Sequence, residues 1–112
     1  NIYNYPNPFS TKTYFAFTLT GSKIPNKLDV QILNIRGRLI KQISLHESQL
    51  LKIGNNVSEY YWDGKDEFGD PVANGIYLYR VISKIDNESI EHRETAGDKA
   101  FTNGIGKMYL IR

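Results

Sequence analysis

Gly75-Ile76-Tyr77-Leu78-Tyr79-Arg80-Val81-Ile82-Ser83 is the stretch that decides the fold class. β-Branched and aromatic residues fill it. Such side chains pack well on a pleated surface and lose rotamer freedom in a helix. Tyr77 and Tyr79 lie two apart, so they share one face of a strand. The same period of two recurs upstream. Tyr14 to Thr20 sets Phe15, Phe17 and Leu19 against Ala16 and Thr18, and Leu28 to Leu33 sets Leu28, Val30 and Ile32 against Asp29 and Gln31. Both are patterns of half-buried strands.

Working outward, Leu39 to Leu45 reads as a return strand. It is joined to the previous one by Asn34-Ile35-Arg36-Gly37-Arg38, where Gly37 can take the positive φ that closes a short hairpin. Val57 to Trp62 is a further strand and Gly106 to Arg112 the last. The opening Asn1 to Thr13 is turn-rich. Its Tyr5-Pro6-Asn7-Pro8-Phe9 cannot be helical, because each proline lacks a donor and pushes the residue before it out of the α region. It reads as an extended entry with Phe9 tucked inward. Gly21 to Lys27 is a loop around Pro25. Gly54-Asn55-Asn56 and Gly104-Ile105-Gly106-Lys107 read as turns, and Asp63 to Pro71 as a dense turn segment. Lys84 to Asn103 is polar and weakly patterned, which suggests a long loop or a protruding hairpin. The best helical rival, Ser44 to Lys52, has no apolar stripe. About seven short antiparallel strands separated by Gly, Pro and Asn turns describe an all-β, Ig-like Greek-key β-sandwich.

Composition sets the bounds. The chain of 112 residues is the size of one domain, so residues 1–112 are read as a single sandwich. Hydrophobic residues make up 40% and charged residues 23%, an ordinary globular balance. A net charge of +2 with both signs scattered gives no field that would gather nucleic acid, and no strand concentrates cations beside exposed aromatics as an oligonucleotide-binding barrel would. No apolar run approaches the ~20 residues that span a bilayer, so membrane insertion is not expected. There is no cysteine, hence no disulfide, no thiolate ligand and no thiol nucleophile. No basic-then-apolar leader opens the chain, so Asn1 reads as a domain boundary with any signal peptide upstream.

Candidate chemistry is sparse. Asp63, Asp66, Glu67 and Asp70 could be taken for a calcium loop, but their spacing does not fit an EF-hand, and Asp builds turns by bonding its own backbone. Two carboxylates facing each other across a cleft, as glycoside hydrolysis needs, are not offered by one turn. His46 and His92 lie far apart without ligand-like neighbours, and no Gly-x-Ser-x-Gly elbow occurs. No catalytic, cofactor or metal residues are therefore assigned. Trp62 is expected to anchor the core, with Asp63-Gly64 ending its strand. The competing view is an exposed, ligand-stacking indole. Asn74-Gly75-Ile76-Tyr77 resembles the corner before the sixth strand of Ig-like domains, which implies that the Tyr77 hydroxyl bonds to backbone between Asp70 and Asn74.

Taken in order, four segments carry a wider resemblance. Asn4-Tyr5-Pro6-Asn7-Pro8-Phe9 looks like the opening of FlgD-like Ig domains and of the type IX secretion C-terminal sorting domains of Bacteroidetes. Leu28 to Ile40 is similar to their second hairpin. Trp62-Asp63-Gly64-Lys65-Asp66 with Gly69, then Asn74 to Arg80, resembles their central block. Gly106-Lys107-Met108-Tyr109-Leu110-Ile111-Arg112 resembles their final strand. Lys84 to Asn103 is longer than the usual connection, and this longer form resembles domains that end gingipain-like cysteine peptidases and sortase-type proteins.

The resemblance implies a non-catalytic sorting signal at the C-terminus of an exported protein. The passenger would lie upstream in the same chain, and the type IX machinery or its sortase proteins would be the partners. Passage would run through the periplasm to the outer membrane, cell surface or medium. Typical cargo of this kind loses the domain to a sortase. Residues 107 to 112 are then the candidate signal, and Pro6, Asn7, Pro8, Trp62, Asp63, Gly64, Gly75 and Tyr77 the structural frame. The alternative is a FlgD-like structural or adhesive module of a larger extracellular protein. It would be favoured by a chain continuing far beyond Arg112.

Overall fold

The decisive stretch forms a strand near the middle of the larger of two sheets. The computed structural model describes residues 2–21, 23–46, 49–84 and 101–112, with backbone alone for 101–104. Seven strands are present: β1 (Ile2–Tyr5), β2 (Thr13–Leu19), β3 (Lys27–Leu33), β4 (Leu39–Ser44), β5 (Gly54–Trp62), β6 (Gly75–Lys84) and β7 (Phe101–Leu110). They pair antiparallel in two sheets, ordered β1-β2-β5 and β4-β3-β6-β7. Hairpins join β1 to β2 and β3 to β4, and β7 pairs antiparallel with β6. The chain changes sheet after β2, β4 and β5, as in an Ig-like sandwich.

The alternations place the core between the sheets. Phe15, Phe17 and Leu19 of β2 face Leu28, Val30 and Ile32 of β3 and Tyr77, Tyr79 and Val81 of β6, all of them buried. Trp62 is completely buried and excludes the ligand-stacking view. Its indole packs on Phe9 at 5.6 Å and on Tyr77 at 5.2 Å between ring centroids. Tilted and edge-on pairs of this kind contribute about 1 kcal/mol each beyond the area they bury. Phe9 is buried, as the sequence suggested, and Gly37 closes the β3–β4 hairpin at φ 85°.

Several expectations need correction. The entry is more than an extended lead: Ile2–Tyr5 pairs with β2 from Ile2↔Phe17 to Tyr5↔Tyr14. Gly54-Asn55-Asn56 is the first part of β5, opposite Leu19, Thr18 and Phe17. Its turn chemistry persists in the side chain, because Asn56 Nδ2 donates to the carbonyls of Lys52 (2.8 Å) and Gly54 (3.1 Å). Gly104-Ile105-Gly106-Lys107 is strand as well, since β7 starts at Phe101 and ends at Leu110. Gly106 lies opposite Tyr79, and a Cβ there would collide with the phenol ring. That glycine makes room for an aromatic ring across the pair. His92 and most of Lys84 to Asn103 lie outside the described residues.

Candidate functional site

Three of the sequence segments meet at one end of the sandwich, on the edge strand β7. The amide of Asn7 lies along that edge. Its Nδ2 donates to the Lys107 carbonyl at 3.1 Å, and its Oδ1 accepts from the Tyr109 N–H at 3.0 Å. An amide side chain offers a donor and an acceptor, as a peptide unit does, so Asn7 stands in for a neighbouring strand. Phe9 continues the pairing with true backbone. Its N–H donates to the Tyr109 carbonyl at 3.0 Å, and its carbonyl accepts from the Ile111 N–H at 2.9 Å. Four successive outward groups of the last strand are thus taken by Asn7 and Phe9. Open strand edges invite pairing with other chains, and this cover removes the invitation over residues 107 to 111.

Two cis peptide bonds, Tyr5–Pro6 and Asn7–Pro8, shape the covering segment. The Pro6 carbonyl accepts the Thr13 hydroxyl at 2.8 Å. Phe9, wedged beside Trp62, holds the far end.

The turn after β5 meets the strand's terminus. Trp62 Nε1 donates to the Lys65 carbonyl at 2.8 Å, which fixes the start of the turn to the core. Asp63 Oδ1 accepts from the Lys65 N–H at 3.2 Å. Asp66 Oδ1 accepts from both Phe68 N–H and Asp70 N–H at 2.9 Å. These carboxylates are turn builders, as the sequence reading favoured, and among the described residues no His, Cys, Asp and Glu cluster could hold a metal ion.

Arg112 reaches into this turn. Its guanidinium donates to the carbonyls of Val72 at 2.7 Å and Gly64 at 3.4 Å. Gly64 has φ 78°, and a Cβ on it would strike the Arg112 guanidinium. The positive φ favours glycine there, and its missing Cβ leaves room for the guanidinium. Asn74 repeats the device of Asn7: its amide donates to the Arg112 carbonyl at 3.1 Å and accepts from the Arg112 N–H at 3.3 Å. Beside it, Tyr77, two residues after the Gly75 that opens β6, donates its hydroxyl to the Ala73 carbonyl at 2.7 Å. This is the expected tyrosine corner. Burial raises the Tyr77 pKa above its ordinary value, and the nearby Arg112 charge pulls it partly back.

Within 107 to 112 the side chains divide cleanly. Met108 and Leu110 are fully buried, and Lys107, Tyr109, Ile111 and Arg112 are exposed. Arg112 is nevertheless engaged by the turn, so Lys107 is the exposed cation without that tie. Sequence reasoning did not find the strand-mimicking amides of Asn7 and Asn74. No local signal announces them, because each amide bonds backbone far away in the sequence.

The model of the secretion system C-terminal sorting domain matches residues 3–61. The chain belongs to that family. It is a sorting domain of type IX secretion, a non-catalytic signal module of exported proteins. The match covers the Asn7 segment and ends just before Trp62. No curated protein matches the sorting domain in sequence. Among solved structures, dimeric latent PorU from Porphyromonas gingivalis aligns with 98% of this chain at TM-score 0.66 and 20% identity. Truncated FlgD from Helicobacter pylori aligns with 96% at TM-score 0.57 and 24% identity. Both show the same fold. The sorting domain spans 9% of the PorU chain and 66% of the FlgD chain.

Proposed function

We propose that residues 1–112 are the C-terminal module of a larger exported protein, and that the type IX machinery recognises it at the end of the sandwich where Asn7, the turn after Trp62 and residues 107 to 112 meet. Membership of the sorting-domain family carries this reading. The passenger, a gingipain-like peptidase or sortase-type protein among the candidates, precedes the module, crosses the inner membrane on its own signal peptide and waits in the periplasm. Docking of the folded sandwich then commits it to the outer-membrane exporter, and a sortase is the partner that acts afterwards. Because Asn7 and Phe9 occupy the backbone edge of residues 107 to 111, a receptor meets the exposed side chains of Lys107, Tyr109 and Ile111 and does not add a strand there. The test places the domain behind a reporter that carries a signal peptide, in a type IX host and in the same host without the system. Surface reporter in the first and periplasmic reporter in the second is the expected result. Periplasmic reporter in both overturns the reading.

A further inference from the structure

The outward face of β6 and β7 is apolar and basic. Cross-strand partners Ile76↔Tyr109, Leu78↔Lys107 and Arg80↔Ile105 lie side by side on it. Ile105 is 61% exposed, and Ile76 and Tyr109 are close to 40%. Isolated apolar side chains on a surface are ordinary, and a contiguous exposed set over two strands is the kind of surface that interaction sites use. The charges on these strands have one sign. β6 and β7 together contain Arg80, Lys84 and Lys107 and no Asp or Glu. Asp29, on the adjoining β3, is engaged by Gln42 Nε2 at 3.1 Å and by His46 at 3.7 Å. Arg80 Nε donates to Gln31 Oε1 at 2.8 Å, which lays its stem across the sheet.

We infer that this face, extending well beyond the terminal hexapeptide, docks an apolar protein surface bearing carboxylates on the export machinery. The inference rests on the sorting reading above and names the partner's chemistry. Apolar side chains opposite Ile76, Ile105 and Tyr109 supply the contact area. Acidic groups opposite Arg80 and Lys107 set the register, and like charges there are rejected. The covered edge of residues 107 to 111 agrees with this mode, because face contact leaves the Asn7 and Phe9 hydrogen bonds in place.

The test uses the reporter fusion with Lys107→Glu plus Ile105→Asp, and with Lys23→Glu in the β2–β3 loop as the charge-reversal control away from this face. Each is first checked to melt like wild type, since exposed charges contribute little to stability. Export should fall about tenfold for the double variant and stay unchanged for Lys23→Glu. Unchanged export of the double variant, or an equal loss with Lys23→Glu, overturns the inference while wild-type export still upholds the sorting reading. Failure of the wild type removes the sorting reading itself. The purified domain is also mixed with phosphatidylglycerol vesicles. No binding is expected, and vesicle binding abolished by Lys107→Glu would assign the face to a lipid surface and overturn the protein partner.

Discussion

The Arg112 guanidinium donates to the Val72 carbonyl at 2.7 Å, so the last residue is fastened to the turn that follows β5. The charge at this end of the strand is part of the fold. Replacing Arg112 by Gln should therefore lower stability by about 1 kcal/mol, the net worth of a partly exposed hydrogen bond to a charged group. Chemical denaturation measures it. A variant as stable as wild type would show that the turn holds without the arginine. Export assays that alter Arg112 also alter the fold, which makes Lys107 the cleaner probe.

Tyr77→Phe should cost about 1 kcal/mol, because the Ala73 carbonyl loses its donor while the ring stays packed on Trp62. The same phenol predicts an alkaline limit. Burial of Tyr77 and of Tyr79 raises both pKa values above the ordinary tyrosine value. The ionised form is thus disfavoured in the folded state. Their contribution is complete below about pH 10 and is lost as pH rises through the folded-state values. Denaturation midpoints should fall on that limb, less steeply in Tyr77→Phe. A flat profile above pH 10 would contradict the assignment.

Asn7→Ala removes both amide bonds to the last strand and uncovers the Lys107 carbonyl and the Tyr109 N–H. A loss of about 1–2 kcal/mol is expected. Uncovered edges pair, so the variant should also associate as its concentration rises, where wild type does not. Light scattering after size exclusion reads this directly. A variant that is stable and monodisperse would mean that Phe9 alone closes the edge.

The strands that were legible from sequence are those whose own side chains decide their state. β6 is β-branched and aromatic, and β2 and β3 alternate, so period and propensity agree. β1 was hidden by its length of four residues and by the prolines after it. Early β7 contains Asn103, Gly104 and Gly106, poor strand formers set among the pairs Ile82↔Thr102, Arg80↔Ile105 and Tyr79↔Gly106. Gly54 to Asn56 carries turn residues whose turn contacts are made by a side chain while the backbone joins the ladder. At the candidate site, the carboxylate turn and the Tyr77 corner followed from local chemistry. The strand-like amides of Asn7 and Asn74 bond residues 102 and 38 positions away in sequence, and no local pattern encodes that.

Closure of the last strand by the Asn7–Phe9 segment is measured residue by residue by amide hydrogen exchange. The Tyr109 and Ile111 amides should exchange slowly, as their bonds to Asn7 Oδ1 and the Phe9 carbonyl require. In Asn7→Ala the Tyr109 amide should become fast while Ile111 remains protected. Fast exchange of both amides in the wild-type domain would mean that the edge is open and available for strand addition, and would contradict the account.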